Sequence, residues 1–198
     1  MKFGKSMIMA AAVSLISGVA SASTYSFDAA ASKITWVGKK VTGQHNGTIN
    51  LKSGELSLDK NSGSFVIDMN SIACEDLKGE WNEKLVGHLK SDDFFNVSKY
   101  SEAKFVLNSL KKVSGDKYKV TGDLTVKNIT KPVTFDAVIT TAKESASMKA
   151  NFSIDRTKWD IKYNSGKFFD VKQLGDKMIY DQIEIGLDLK GKKMAKAS

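Results

Sequence analysis

Apolar and polar residues alternate one by one along much of this chain. In the clearest run, from Lys117 to Lys127, every second residue is apolar or glycine: Tyr118, Val120, Gly122, Leu124 and Val126. Because successive side chains of a β-strand point to opposite faces, this run predicts a strand with one buried and one solvated face. The pattern limits the fold more than any other feature of the sequence.

The same alternation recurs in seven other segments, and the sequence predicts eight to ten strands. The segments are 33–42, 45–59, 65–70, 103–110, 133–140, 148–155 and 183–190. Turn-forming residues separate them at Gln44 to Gly47, Ser53-Gly54, Asn61-Ser62-Gly63, Ser114-Gly115-Asp116 and Lys127-Asn128. Short connections between half-buried strands indicate antiparallel pairing, so the fold class is all-β.

Two segments depart from this period. Leu77, Trp81, Leu85, His88 and Leu89 form one stripe of a helix from about Asp76 to Lys90,. Residues 155–177 lack a period but contain four aromatic residues, so we expect a long ordered loop at the mouth of the fold, with a further irregular strand as the alternative,.

So many strands with one apolar face must hide their edges, and a closed barrel is expected in preference to a sandwich. Alternation does not say which face points inward. An outer-membrane barrel is disfavoured because the apolar face lacks aromatic girdles at both strand ends.

A barrel of this size either fills its interior or holds one small ligand. Small inner residues at Gly38, Ala103, Gly122, Ala137 and Ala150 fit a hollow tunnel, although they also fit a filled core that tapers. The predicted tunnel lining is Trp36, Phe65, Met69, Phe105, Leu124, Phe135, Ala137 and Phe152.

The first 22 residues predict a secretory signal peptide. They contain a basic start, an apolar run from Met7 to Ile16, and the small-residue site Ala20-Ser21-Ala22,. We expect cleavage after Ala22, a single domain over residues 23–198, and a periplasmic or secreted location.

The net charge of +8 comes from lysines that are scattered along the chain. This distribution disfavours nucleic-acid binding but allows transient contact with an anionic membrane surface,. The oligomeric state is left open, a dimer included.

The sequence offers little catalytic chemistry. It has no nucleophile-elbow, zinc-protease or phosphate-loop motif, so we expect no enzyme activity and no catalytic residues,. A zinc site built from His45, His88 and either Asp92 or Asp93 is considered and not favoured, so neither a metal nor another cofactor is expected. Cys74, the single cysteine, is expected to be buried and cannot form an internal disulfide,.

Six ordered blocks resemble the YceI-like, polyisoprenoid-binding family of secreted bacterial proteins. They are Trp36-Val37-Gly38, Gly43-x-His45-x-Gly47, Leu85-x-x-His88-Leu89-Lys90-Ser91-x-Asp93-Phe94-Phe95, Tyr100-x-x-Ala103-x-Phe105, Val120-x-Gly122-x-Leu124-Thr125-Val126-x-x-x-Thr130, and Phe152-x-Ile154-x-Arg156. The resemblance implies an extended eight-stranded lipocalin-like barrel, with one short helix, whose tunnel binds a long isoprenoid or fatty chain. The pair Trp159-Asp160 departs from the family pattern, which has an aromatic residue followed by glycine after the arginine.

On this resemblance, the candidates for contacts with a ligand head group are His45, His88 and Arg156, with Trp159 and Phe168 at the mouth. Two other functions stay open. The first is a filled barrel that binds partners through the aromatic loop 155–177, and the second is an enzyme acting on a small lipid or quinone.

Overall fold

The computed structural model describes residues 23–195. The predicted signal peptide lies outside the described residues. Nine strands make up most of the chain: β1 (Thr24–Phe27), β2 (Lys33–Lys40), β3 (Gly43–Ser57), β4 (Ser62–Cys74), β5 (Glu102–Ser114), β6 (Lys117–Val126), β7 (Ile129–Thr141), β8 (Ser145–Asp155) and β9 (Ile179–Lys193). Two α-helices, α1 (Gly79–Lys90) and α2 (Val171–Leu174), lie between strands, and Arg156–Trp159 and Gly175–Lys177 form 3₁₀ turns.

The strands form one closed antiparallel barrel, as predicted. Each strand from β3 to β9 pairs with its sequence neighbour, and β2 pairs with both β3 and β9. The short strand β1 also pairs with β3 and β9, further along the same two strands. Because β1 and β2 together fill one place in the sheet, the nine described strands occupy eight positions and the sheet closes on itself, which hides its edges.

The turns confirm part of the sequence prediction and correct the rest. Lys127 and Asn128 both have positive φ, as a two-residue type I′ hairpin requires,. The predicted turn from Gln44 to Gly47 is wrong, because these residues lie in β3. The turn that connects β2 to β3 is formed by residues 41–42. The predicted turn at Ser53-Gly54 is also wrong, because the β3–β4 register shifts there without breaking the strand, as at a β-bulge,.

The barrel has two different ends. At the first, called the closed end, residues 58–61, 115–116 and 142–144 form tight turns. At the second, called the mouth end, the tight turns at 41–42 and 127–128 lie beside two long connections, 75–101 and 156–178. The predicted loop 155–177 therefore lies at the mouth end, where it is built from short helical turns.

Helix α1 lies in the first long connection and begins three residues later than predicted. Its predicted stripe is only partly right, because Trp81 is 70% exposed while Leu85, His88 and Leu89 are half-buried. In residues 23–195, no helix has the length and apolar character needed to cross a bilayer.

Candidate ligand-binding site

The barrel encloses a cavity of about 210 Å³ lined by all eight strand positions. One water molecule needs roughly 10–15 Å³ on the same measure, so this space is far larger than a packing defect. The lining runs from Val120 to Val126 of β6, two residues that lie six steps or about 20 Å apart along the strand,. The barrel is therefore hollow, and the filled-core alternative does not describe it.

Seven of the eight predicted tunnel residues line this cavity: Trp36, Phe65, Met69, Phe105, Leu124, Phe135 and Phe152. The exception is Ala137, which is buried beside its pairing partner Ala150 and does not reach the cavity. The alternation placed it on the correct face. Ala137 belongs to the buried apolar cluster of the barrel.

Glycine serves two purposes inside the barrel. A Cβ atom added to Gly122 would lie 2.4 Å from the ring of Phe105, so this glycine makes room for an aromatic ring and not for a ligand. A Cβ atom added to Gly38 would meet no atom within 4 Å, and Gly38 lines the cavity. Gly38 therefore borders open space, which the sequence pattern could not distinguish from the site at Gly122.

Four phenylalanines from different strands form a continuous apolar belt on the cavity wall. Phe65, Phe105, Phe135 and Phe152 follow one another with ring centroids 6.4, 5.8 and 4.2 Å apart. Phe27 of β1 packs against the Phe65 end of this belt, with ring centroids 5.4 Å apart. Such a wall offers a large apolar surface and no hydrogen-bonding group, which suits a hydrocarbon ligand.

The cavity reaches the surface at the mouth end. Tyr180 lines the cavity and is 48% exposed, whereas Leu56, Val120 and Leu189, which line it toward the closed end, are almost fully buried. Five lining residues at this opening were not predicted as site residues: Leu89, Phe94, Phe95, Ile179 and Tyr180. The pair Phe94-Phe95 belongs to a family block and could have been assigned from it, but Ile179 and Tyr180 carry no such signal.

Among the described residues that line the cavity, Arg156 is the one with a charged side chain, and it is only 1% exposed. Its Nε, Nη1 and Nη2 atoms donate to the carbonyls of Tyr180, Ile161 and Ile179 at 3.3, 2.8 and 3.0 Å. Burial lowers the pKa of Arg156, while the carboxylates of Asp181 and Asp155 oppose that shift. These contacts tie the start of β9 to the loop after β8, so Arg156 holds the mouth in shape.

The structure brings two of the three head-group candidates near each other. The guanidinium of Arg156 lies 5.5 Å from the centre of the Phe94 ring, and the centre of the His88 ring lies 5.7 Å from the same point. His88 also contacts Tyr163, with ring centroids 4.5 Å apart. Phe94 thus contacts both the guanidinium of Arg156 and the imidazole of His88 at the mouth.

His45 lies elsewhere on the mouth end, in β3 and not in the turn that the sequence predicts. Its Nδ1 atom is 2.8 Å from Oδ2 of Asp76, whose Oδ1 accepts the thiol of Cys74 at 3.2 Å. Partial burial raises the pKa of Asp76, but hydrogen bonds from the Asn46 backbone, His45 and Cys74 outweigh it and lower the pKa to about 2. Burial, with the Asp76 contact, raises the pKa of the Cys74 thiol.

The two mouth candidates differ in their surroundings. Trp159 is 1% exposed, does not line the cavity, and donates from Nε1 to the carbonyl of Leu124 at 3.0 Å. It anchors the loop to the barrel wall, because its ring packs in a second apolar cluster with Met69 and Val126. Phe168 is 49% exposed, with Lys162 Nζ 5.2 Å from its ring centre.

Comparison with known proteins gives the chain a family. The family model of the YceI-like domain matches residues 25–191. A UPF0312 protein of Photorhabdus laumondii is 56% identical over 50 residues, which are 25% of this chain and 26% of that protein. Protein YceI of Escherichia coli O157:H7 is 39% identical over 83 residues, which are 38% of this chain and 43% of that protein. The matched segments thus span less than half the length of these curated relatives.

Solved structures agree with the fold. Burkholderia cenocepacia BcnA superposes with a TM-score of 0.62 at 22% identity, covering 83% of this chain and 98% of that one. A polyisoprenoid binding domain from Saccharophagus degradans, implicated in plant cell wall breakdown, superposes with a TM-score of 0.64 at 17% identity, covering 86% and 98%. At these identities the likeness shows the barrel fold alone.

Proposed function

The chain belongs to the YceI-like domain family, and from this premise we propose that it is a carrier or sequestering protein for a long-chain isoprenoid or fatty-acid-type lipid. The observation that carries the proposal is the hollow apolar cavity, which is lined along about 20 Å of strand and opens at one end,. The structural neighbour from Saccharophagus degradans is a polyisoprenoid binding domain, which supports the same ligand class.

The energetics favour a long chain over a short one. Each buried methylene contributes roughly 0.8 kcal/mol, so twenty buried carbons offer about 16 kcal/mol before costs. Association and ordering cost on the order of 4–15 kcal/mol, which would cancel the gain from a short ligand. An apolar chain of this size can bind without a catalytic group, and we propose binding without turnover.

A polar head group would remain at the mouth end. His88 is the better placed candidate because its ring packs beside Phe94, which lines the cavity. Arg156 would contribute less, since its N–H groups already donate to three backbone carbonyls and its Nη2 atom lies 3.5 Å from the carboxylate of Asp181, which offsets the positive charge,. His45 lies with Asp76 and Cys74 and is the weakest of the three candidates.

The rim of the mouth suits the uptake of lipid from a membrane. Tyr163, Phe168, Phe169 and Val171 are exposed apolar side chains in the loop after β8. The same loop carries five lysines, Lys158, Lys162, Lys167, Lys172 and Lys177. Apolar and basic side chains together favour transient contact with an anionic lipid surface. We propose that this contact takes place in the periplasm or outside the cell, after the signal peptide is removed.

The decisive experiment fills the cavity from Gly38. Gly38→Trp places a ring in open space and should remove the lipid that organic extraction and mass spectrometry recover from the wild-type protein. Thermal stability of the delipidated protein should change little, because the added ring meets no packed atom at its Cβ position.

Val138→Trp is the matched control, because Val138 is exposed on the outer face of β7. This variant should keep its lipid. If wild-type protein isolated from its native compartment yields no lipid and binds neither a polyprenyl alcohol nor a long-chain fatty acid, the proposal is wrong.

A further inference from the structure

Three potential metal ligands converge at the mouth end, beside the cavity but outside its lining. His45 Nδ1, Cys74 Sγ and a carboxylate oxygen of Asp76 all lie within 4.8 Å of one another. Asp76 stands between the other two, 2.8 Å from the histidine nitrogen and 3.2 Å from the thiol sulfur. This cluster was not predicted from the sequence, where the histidines were considered together with Asp92 and Asp93.

The backbone holds the three residues in place. Gly47 and Cys74 are partners in the β3–β4 ladder, and the amide of Glu75 donates to the carbonyl of Asn46 at 2.9 Å. The amide of Asn46 in turn donates to Asp76 Oδ1 at 3.0 Å. From helix α1, Asn82 donates to the carbonyl of Cys74 at 2.8 Å. The site is therefore preorganised by the strand pair and by the helix that follows it.

We propose that His45, Cys74 and Asp76 form a zinc-binding site. Thiolate, imidazole and carboxylate are the three ligand types that Zn²⁺ uses in proteins, and three protein ligands leave a fourth position open. Neighbouring ligands of a tetrahedral zinc ion lie roughly 3.3–3.6 Å apart, from bond lengths of about 2.0–2.3 Å. The 2.8 Å contact between His45 and Asp76 must therefore lengthen slightly, and any separation near the 4.8 Å limit must shorten. The proposal does not depend on lipid binding.

The exposure of the residues fits an open site. Cys74 is buried, whereas the side chains of His45 and Asp76 are each 30% exposed, so an ion can enter from solvent. Binding requires the thiol to lose its proton and the histidine to present Nδ1 unprotonated, so the hydrogen bonds to Asp76 are replaced by bonds to the metal. Zinc binding should therefore release protons, and affinity should rise with pH.

The test is titration of the full chain, purified without an affinity tag, with Zn²⁺ and separately with Co²⁺. We expect one ion per chain and, for Co²⁺, a thiolate-to-metal charge-transfer band. Cys74→Ser should abolish that band. His45→Ala should weaken zinc binding by at least about 100-fold, because loss of a residue that only supports a metal ligand already weakens metal binding by up to about 100-fold.

Asp93→Asn is the matched control, since Asp93 lies 4.0 Å from His88 in a different histidine–carboxylate pair. It should bind zinc like the wild type. Absence of binding to the folded wild-type protein would overturn the proposal, as would equal losses in His45→Ala and Asp93→Asn. If Cys74→Ser does not fold, His45→Ala still decides the outcome, because its side chain lies at the surface. Lipid content, measured on the same samples, separates failure of this site from failure of the cavity.

Discussion

The two ends of the barrel are stabilised by different interactions. At the closed end, the turns have two to four residues, and Phe27, Leu56, Ile139 and Leu189 belong to one buried apolar cluster. At the mouth end, the connections are long, and polar groups inside the protein hold them. Arg156 donates to three carbonyls there, and Trp159 donates to a fourth.

The difference follows from the need for an opening. Apolar side chains can close one end by packing against each other, but the same packing at the other end would fill the entrance. Hydrogen bonds to backbone carbonyls fix a loop without occupying the central space. The mouth end therefore combines its own smaller apolar cluster with directional polar contacts, whereas the closed end depends on burial,.

The largest effect should come from removing apolar packing at the closed end. Phe27 is buried against Phe65, so Phe27→Ala should lower the free energy of unfolding by about 3–5 kcal/mol, measured by urea denaturation,. Phe168→Ala at the mouth rim should change it by no more than about 0.5 kcal/mol, because the ring is half exposed,. Equal destabilisation by the two changes would contradict the distinction between the ends.

An intermediate effect should come from Arg156→Lys. The single ammonium group of lysine cannot reach all three carbonyls that the planar guanidinium reaches. At least one buried carbonyl then lacks a donor, which costs about 1–3 kcal/mol. Hydrogen exchange should show faster opening around residues 156–180 while β3 and β4 near the closed end stay protected. Uniformly faster exchange would mean that the arginine supports the whole barrel.

The smallest effect should be the pH dependence of the mouth. Partial burial raises the pKa of Asp155, but hydrogen bonds from Lys167 and Thr157 outweigh it and lower the pKa below the usual value. A carboxyl with a lowered pKa in the folded state stabilises the protein above its unfolded pKa, near about 3.9, and this contribution is lost as the pH falls. Asp155→Asn should therefore cost about 0.5–1 kcal/mol at pH 7 and progressively less below about pH 4.

Asp136→Asn provides the control for this pH effect. Asp136 pairs with Lys119 on the exposed outer wall at 3.0 Å, so its loss should change the unfolding free energy less than Asp155→Asn does. Unfolding measured between pH 7 and pH 3 compares the two variants. An Asp155→Asn curve parallel to the wild type at every pH would contradict the assignment of the shift to Asp155.

The sequence was sufficient for the barrel and for most of its wall. Alternation along the strands shows which residues share a face because a strand repeats every two residues whatever surrounds it, and the apolar face is the one that lines the cavity,. This is why seven of eight predicted lining residues reach the cavity. The period does not report how far a neighbouring side chain extends. It therefore could not show that Ala137 and Gly122 lie outside the cavity lining while Gly38 borders open space.

The mouth was decided by tertiary structure. Residues 156–178 have no period, and their fold depends on contacts with residues distant in sequence, such as Trp159 with Leu124 and Arg156 with Tyr180. The cluster of His45, Cys74 and Asp76 likewise forms because β3 and β4 pair in a particular register with a bulge between them. The periodic pattern thus determined from sequence alone that the chain forms a barrel and which residues share one face of its wall. The position of the opening and the groups gathered around it were decided by strand register and loop packing, because both depend on contacts between residues far apart in the chain.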